Sequence, residues 1–195
     1  MSEALAANWY GRFVDTVQQH EAAPTLREAA MLGQLGRWTT ALTSVVCATC
    51  AELGWEAAAK GHVSKLLPVP RSEYLVLDAV AFEPSGERRW RFPVAVFELE
   101  NSSDDDRVAY SVWKVLCVRA NLRVTFCYRR NADEGNELVR HLADQVVRAM
   151  ELQDRAKLTG DTLVVVGSYS EAATFPYGFF KEWLFDANVG RFARL

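Results

Sequence analysis

Two glutamates stand two residues apart at the end of an apolar run, Arg91-Phe-Pro-Val-Ala-Val-Phe-Glu-Leu-Glu-Asn101. The run predicts a strand, because a period of two sends Phe92, Val94 and Val96 to one face and Pro93, Ala95 and Phe97 to the other. Both faces are apolar, as in a strand covered by helices on two sides. Glu98 and Glu100 leave this strand on the same side, about 7 Å apart. Like charges so close on a buried surface call for a cation between them. Either the strand end breaks out into water, or a metal ion is the partner of the pair.

A third acid belongs with them. Residues 73–82 read as a second strand, and Glu83-Pro-Ser-Gly-Glu-Arg-Arg89 as a turn. So short a loop predicts an antiparallel pair. Centring the turn on Arg88 sets Phe82 opposite Val94, Val80 opposite Val96, Asp78 opposite Glu98 and Val76 opposite Glu100. All lie on one sheet face, apolar near the turn and acidic beyond it. Asp78 is flanked by Leu77, Ala79 and Val80, and an aspartate inside such a strand needs a partner. The competing reading is a hairpin end open to solvent.

The elements that would position these acids follow along the chain. Leu5, Trp9, Phe13 and Val17 recur every four residues, predicting a first helix capped by Ser2. Thr25 and Glu28 have capping-box spacing for a second helix. A third runs over 37–53 and ends at Gly54. Residues 55–60 predict an edge strand. After Asn101 a helix over about 107–120, capped by Ser103 or an aspartate, leads to a strand at 122–128. That helical crossover makes the new strand parallel to the one carrying Glu98. A helix over 134–153, a strand over 162–168 and an aromatic tail closing in a hairpin at 187–190 complete the chain.

This order, with an Asp in the second strand and an acid-x-acid in the third, resembles the PD-(D/E)XK nuclease superfamily over about residues 37–168. The resemblance implies an α/β fold with a mixed central sheet flanked by helices on both faces, a restriction-endonuclease-like core. Residues 1–54 would be extra N-terminal helices, 55–168 the core and 169–195 a C-terminal aromatic hairpin, all within a single domain. It also implies hydrolysis of a nucleic-acid phosphodiester, DNA first, with Mg²⁺ or alternatively Mn²⁺. By the same likeness Asp78 and Glu98 would hold the ion, with the backbone carbonyl of Leu99 as a further ligand. Hard dications take such oxygen donors, and Mg²⁺ rarely more than two carboxylates. The family's third position is usually lysine, and here it is Glu100. Glu100 would be a ligand or general base, and Lys114, on the following helix with Arg107 and Ser111 on its arc, would supply the missing cation. A descendant without catalysis, serving as a protein-interaction or assembly subunit, is the other function this departure leaves open.

Composition narrows the rest. At 195 residues and half hydrophobic, the chain can bury a core as one domain. A net charge of −3 argues against whole-surface attraction to nucleic acid. No apolar run is long enough to span a bilayer and no export signal opens the sequence, which predicts a cytoplasmic protein without a membrane partner. Cys47 and Cys50 fall inside an apolar helix, and Cys117 and Cys127 have no histidine near them, so all four read as packed, inert thiols. His20, His62 and His141 have no ligand spacing, and Asp104-Asp-Asp106 reads as a helix start. Arginines gather at 88, 89 and 91 and at 119, 123, 129 and 130, as solubilising surface charge or phosphate contacts. The tail's aromatics offer a surface for a homodimer.

Overall fold

The computed structural model describes residues 3–19 and 21–195; the expected Ser2 cap and His20 lie outside them. Seven strands form one mixed sheet whose spatial order follows the sequence: β1 (Glu56–Ala59), β2 (Ala79–Phe82), β3 (Ala95–Leu99), β4 (Leu122–Arg129), β5 (Asp161–Ser168), β6 (Phe180–Asp186) and β7 (Arg191–Ala193). The β3–β4 and β4–β5 pairs are parallel and the others antiparallel. Helical crossovers make the parallel pairs: α4 (Asp105–Leu116) joins β3 to β4, and α5 (Ala132–Leu142) stands between β4 and β5. All eight residues of β4 and all eight of β5 are buried, as strands covered on two faces must be. The chain is an α/β protein with a mixed sheet.

The N-terminal helices α1 (Glu3–Gln19), α2 (Ala23–Leu32) and α3 (Leu35–Glu52) cover one face. The four-residue stripe on α1 places Trp9, Phe13 and Val17 fully inside. Trp9 stacks on Phe13 at 5.3 Å, and Phe13 meets Phe126 and Phe180, each at 5.1 Å. On the other face Val108, Val112 and Leu116 of α4 pack with Leu138 and Leu142 of α5 over Cys127, Val164 and Val166. β4 and β5 thus send alternate residues into two separate cores, one on each face of the sheet.

Several expectations are corrected. The second strand begins at Ala79, not 73, because residues 74–77 form a tight turn in which Leu75 and Val76 have φ of 58° and 57°, and Leu77 N donates to the Tyr74 carbonyl at 3.1 Å. The Thr25–Glu28 capping box does not form: the N-cap is Ala22, three residues earlier, with Pro24 in the first turn, and Glu28 pairs with Arg37 at 3.0 Å. The single helix expected over 134–153 is divided into α5, a π-helical turn at Ala143–Val147 and a short α6 (Leu152–Arg155). The tail's aromatics turn inward. Phe179 and Phe180 are fully buried and Trp183 nearly so, while Tyr177 is widely exposed, so the segment is part of the core rather than an aromatic dimer face. Cys47, Cys50 and Cys127 are buried as expected, but Cys117 is exposed at the end of α4. Burial pushes the Cys47 and Cys127 thiols up to about 12. No helix among the described residues is long and apolar enough to cross a membrane.

Candidate functional site

The β2–β3 register is the one the short turn predicts. Ala79 faces Phe97, Val80 faces Val96 and Ala81 faces Ala95, so the next pair along the same register is Asp78 and Glu98. Glu98 lies one residue before the end of β3, on the face covered by α4, with its side chain 6% exposed. Asp78 sits just ahead of β2, open to solvent on one side. Its Oδ2 accepts the Leu99 amide at 2.7 Å, a side-chain cap on the end of the ladder that fixes the carboxylate beside β3.

Lys114 completes the group from α4. That helix starts where it does because the Asp104 side chain accepts the Asp106 amide at 2.9 Å, with Asp105 and Asp106 favoured at its positive end. Its buried stripe, Val108, Ser111, Val112 and Val115, lies on the sheet and leaves Lys114 at the border. The Lys114 ammonium is 2.7 Å from Glu98 Oε1 and donates to the Val76 carbonyl at 3.0 Å. Oε1 is buried, and Lys114 is its counter-charge. The contact is a close, largely buried ion pair that favours the ionised carboxyl.

Electrostatics mark the pair. Burial pushes the Glu98 carboxyl up to about 7, with Lys114 pulling it back and Asp78 raising it. Asp78 is also raised, by burial first, against the Leu99 amide and Lys114, with Glu100 and Glu73 adding to the rise. Two neighbouring carboxyls that both resist ionisation form a centre where added positive charge is stabilising. Glu100 is on the same side but is held elsewhere: it accepts the Ser102 amide at 2.8 Å and the Ser111 hydroxyl at 3.3 Å. Among the described residues no three His, Cys, Asp or Glu side chains are grouped closely enough to hold a metal ion. The donors that would suit a hard dication are the Asp78 and Glu98 carboxylates, with Glu98 Oε1 taken up by Lys114 in this structure.

Two participants escaped the sequence reading. A regular strand would set Glu73, an odd number of residues from Asp78, on the opposite face; the turn at 74–77 brings it near enough to act on Asp78. The Val76 carbonyl, expected opposite Glu100, instead anchors Lys114. Nothing in the sequence announces a turn with leucine and valine at positive φ, so neither was legible. Two of the arginines are more committed than surface charge would be. Arg123 is buried and donates to the Val118 and Thr159 carbonyls, each at 2.9 Å, and Arg129 is buried against Asp105. His141 pairs with Asp106 at 3.2 Å.

An apolar groove of about 630 Å³ between α1, α2 and Phe175–Pro176 belongs to the opposite layer and contains none of these acids. No family model matches the chain, and no curated protein matches it. Among solved structures, E. coli MS115-1 NucC in its cAAA-bound form is similar, with a TM-score of 0.44 and 16% identity over 88% of this chain and 80% of that one. So distant a likeness says nothing about which residues act.

Proposed function

We propose that this protein is a divalent-metal-dependent phosphodiester hydrolase of PD-(D/E)XK type acting on nucleic acid, DNA first. The observation that carries the reading is the convergence of Asp78, Glu98 and Lys114, from three separate segments, at one edge of the sheet. Asp78 and Glu98 would hold Mg²⁺ or Mn²⁺, with the Leu99 carbonyl one peptide away from the amide that orients Asp78. A bound divalent ion supplies a water of lowered pKa and charge neutralisation at the phosphate. Lys114 replaces the lysine absent at position 100: reaching in from α4, its ammonium neutralises Glu98 in the resting site and is positioned to meet a phosphate oxygen. Glu100, oriented by Ser102 and Ser111, is the available proton acceptor at the margin.

The Lys114–Glu98 contact also favours a second reading, an assembly subunit whose acids are held as a structural ion pair with no catalysis. Thermal unfolding with and without Mn²⁺ or Mg²⁺ separates the two. The expected result is a metal-dependent rise in Tm in the wild type that Asp78→Ala abolishes, accompanied by cleavage of labelled oligonucleotides. Absence of any metal effect on the wild type would overturn the hydrolase reading and leave the ion pair.

A further inference from the structure

Beside the carboxylates, the outer face of α4 leaves two aromatic side chains uncovered. Tyr110 and Trp113 are 58% and 51% exposed, with ring centres 5.9 Å apart and planes tilted by 33°. Lys114, adjacent to Trp113 in the chain, holds its ammonium 6.0 Å from the centre of the Tyr110 ring while it touches Glu98. The aromatic pair and the lysine that meets Glu98 therefore share one helix turn. A groove of about 390 Å³ runs along these rings, with Val146 and Met150 on its apolar side and Asp106 and Gln145 as polar groups. Its far wall is the π-helical turn Ala143–Val147, a widening of the helix that recurs at functional sites.

Charge decides what kind of strand suits this surface. A duplex is held chiefly through phosphates, each neutralised by a lysine or arginine. Here Arg123 and Arg129 are buried in internal contacts, Arg130 pairs with Glu134, and Arg119 lies over Phe92. The start of α4 is acidic, and the chain carries a net charge of −3. A single strand also presents base faces, which stack on aromatic rings whatever the sequence. We propose that the groove beside Tyr110 and Trp113 is a nucleobase subsite, and that the substrate is single-stranded or locally unpaired nucleic acid. One base stacks on the ring pair while its phosphate lies at Asp78, Glu98 and Lys114. Asp106 accepts from an exocyclic amine, and Gln145 both donates and accepts at the base edge. The inference rests on the hydrolase reading for the position of the phosphate.

The test is binding of the full chain to a dye-labelled single-stranded 12-mer and to the same sequence closed into a hairpin duplex, by fluorescence anisotropy in calcium buffer. The single strand is expected to bind about tenfold tighter or more. Tyr110→Ala with Trp113→Ala should weaken it roughly five- to 150-fold for each base stacked, with the Mn²⁺ effect on Tm intact. Tyr110→Phe with Trp113→Phe should preserve binding. Unchanged single-strand affinity in the alanine variant, or preference for the duplex, overturns the subsite. So does an alanine variant whose main change is loss of self-association on sedimentation, which would make the rings a contact between copies. Aromatic-dependent binding without cleavage or any Mn²⁺ effect supports the subsite while removing the hydrolase reading. Cleavage that ignores the alanine changes removes the subsite alone.

Discussion

Replacing Lys114 with methionine tests the electrostatics of the site directly, because the outcome must change with pH. The ammonium is the cation against Glu98, at 2.7 Å, and the carboxyl there is raised from 4.5 to about 7 mainly by burial. A carboxyl raised on folding contributes stability that is fully present below its unfolded value and is lost as pH rises through its folded value. In metal-free wild-type protein that loss runs from about pH 4.5 to somewhat above 7, and a carboxyl moved so far accounts for up to ~3 kcal/mol. At pH 8 Glu98 is ionised, and removing Lys114 leaves a buried charge unpaired, a loss of about 3 kcal/mol. At pH 5 Glu98 is protonated, and the same substitution removes little beyond the bond to the Val76 carbonyl, about 1 kcal/mol. For a chain of this size the pH 8 effect corresponds to a fall in Tm of roughly 6–12 °C. Urea denaturation in chelator at both pH values measures it, with Glu98→Gln as control. Glu98→Gln should erase most of the pH 5-to-8 loss of stability, and adding it to Lys114→Met should restore most of what that change removed at pH 8. Equal destabilisation at both pH values, or an unchanged pH profile in Glu98→Gln, would refute the account.

Other expectations follow from individual contacts. Replacing Leu75 with Asn and Val76 with Gly puts residues suited to positive φ into the 74–77 turn, and should raise stability by about 1–2 kcal/mol in urea denaturation. Gly167→Ala would set a Cβ 2.6 Å from the rings of both Phe179 and Tyr128, and should lower stability by about 1–3 kcal/mol. Under native conditions a thiol reagent should modify Cys117 quickly and Cys47, Cys50 and Cys127 only on unfolding, read by mass spectrometry.

The pairing of Asp78 with Glu98 was legible because two physical constraints agree on it: alternation assigns faces, and a short turn assigns register. Lys114 was legible as a point on a helix arc, although its reach across to Glu98 depends on how α4 seats on the sheet. The boundaries were less legible wherever tertiary contacts outweigh local preference. Leu75 and Val76 carry strand propensity, yet the chain bends through them so that the Val76 carbonyl meets Lys114. The stripe Leu138, Leu142, Val146 and Met150 continues through the π-helical turn, so apolar spacing alone gives no sign of the break. Arg123 looks like a surface charge and is 3% exposed, because two main-chain carbonyls supply what water otherwise would.

The placement of α1 has a consequence for the order in which the molecule can be completed. Neighbouring strands are consecutive in the chain, so the sheet can extend by one element at a time. The first helix cannot lock in so early: the Ala6 amide donates to Asp161 at 3.0 Å, and the Tyr10 hydroxyl to the Phe180 carbonyl at 3.2 Å. During synthesis the ring stripe of Trp9 and Phe13 emerges about 90 to about 170 residues ahead of its partners Phe97, Phe126 and Phe180. The helix is thus fully fastened only after segments that follow it by many residues, and loss of β6 would remove the Phe180 partner of both Tyr10 and Phe13.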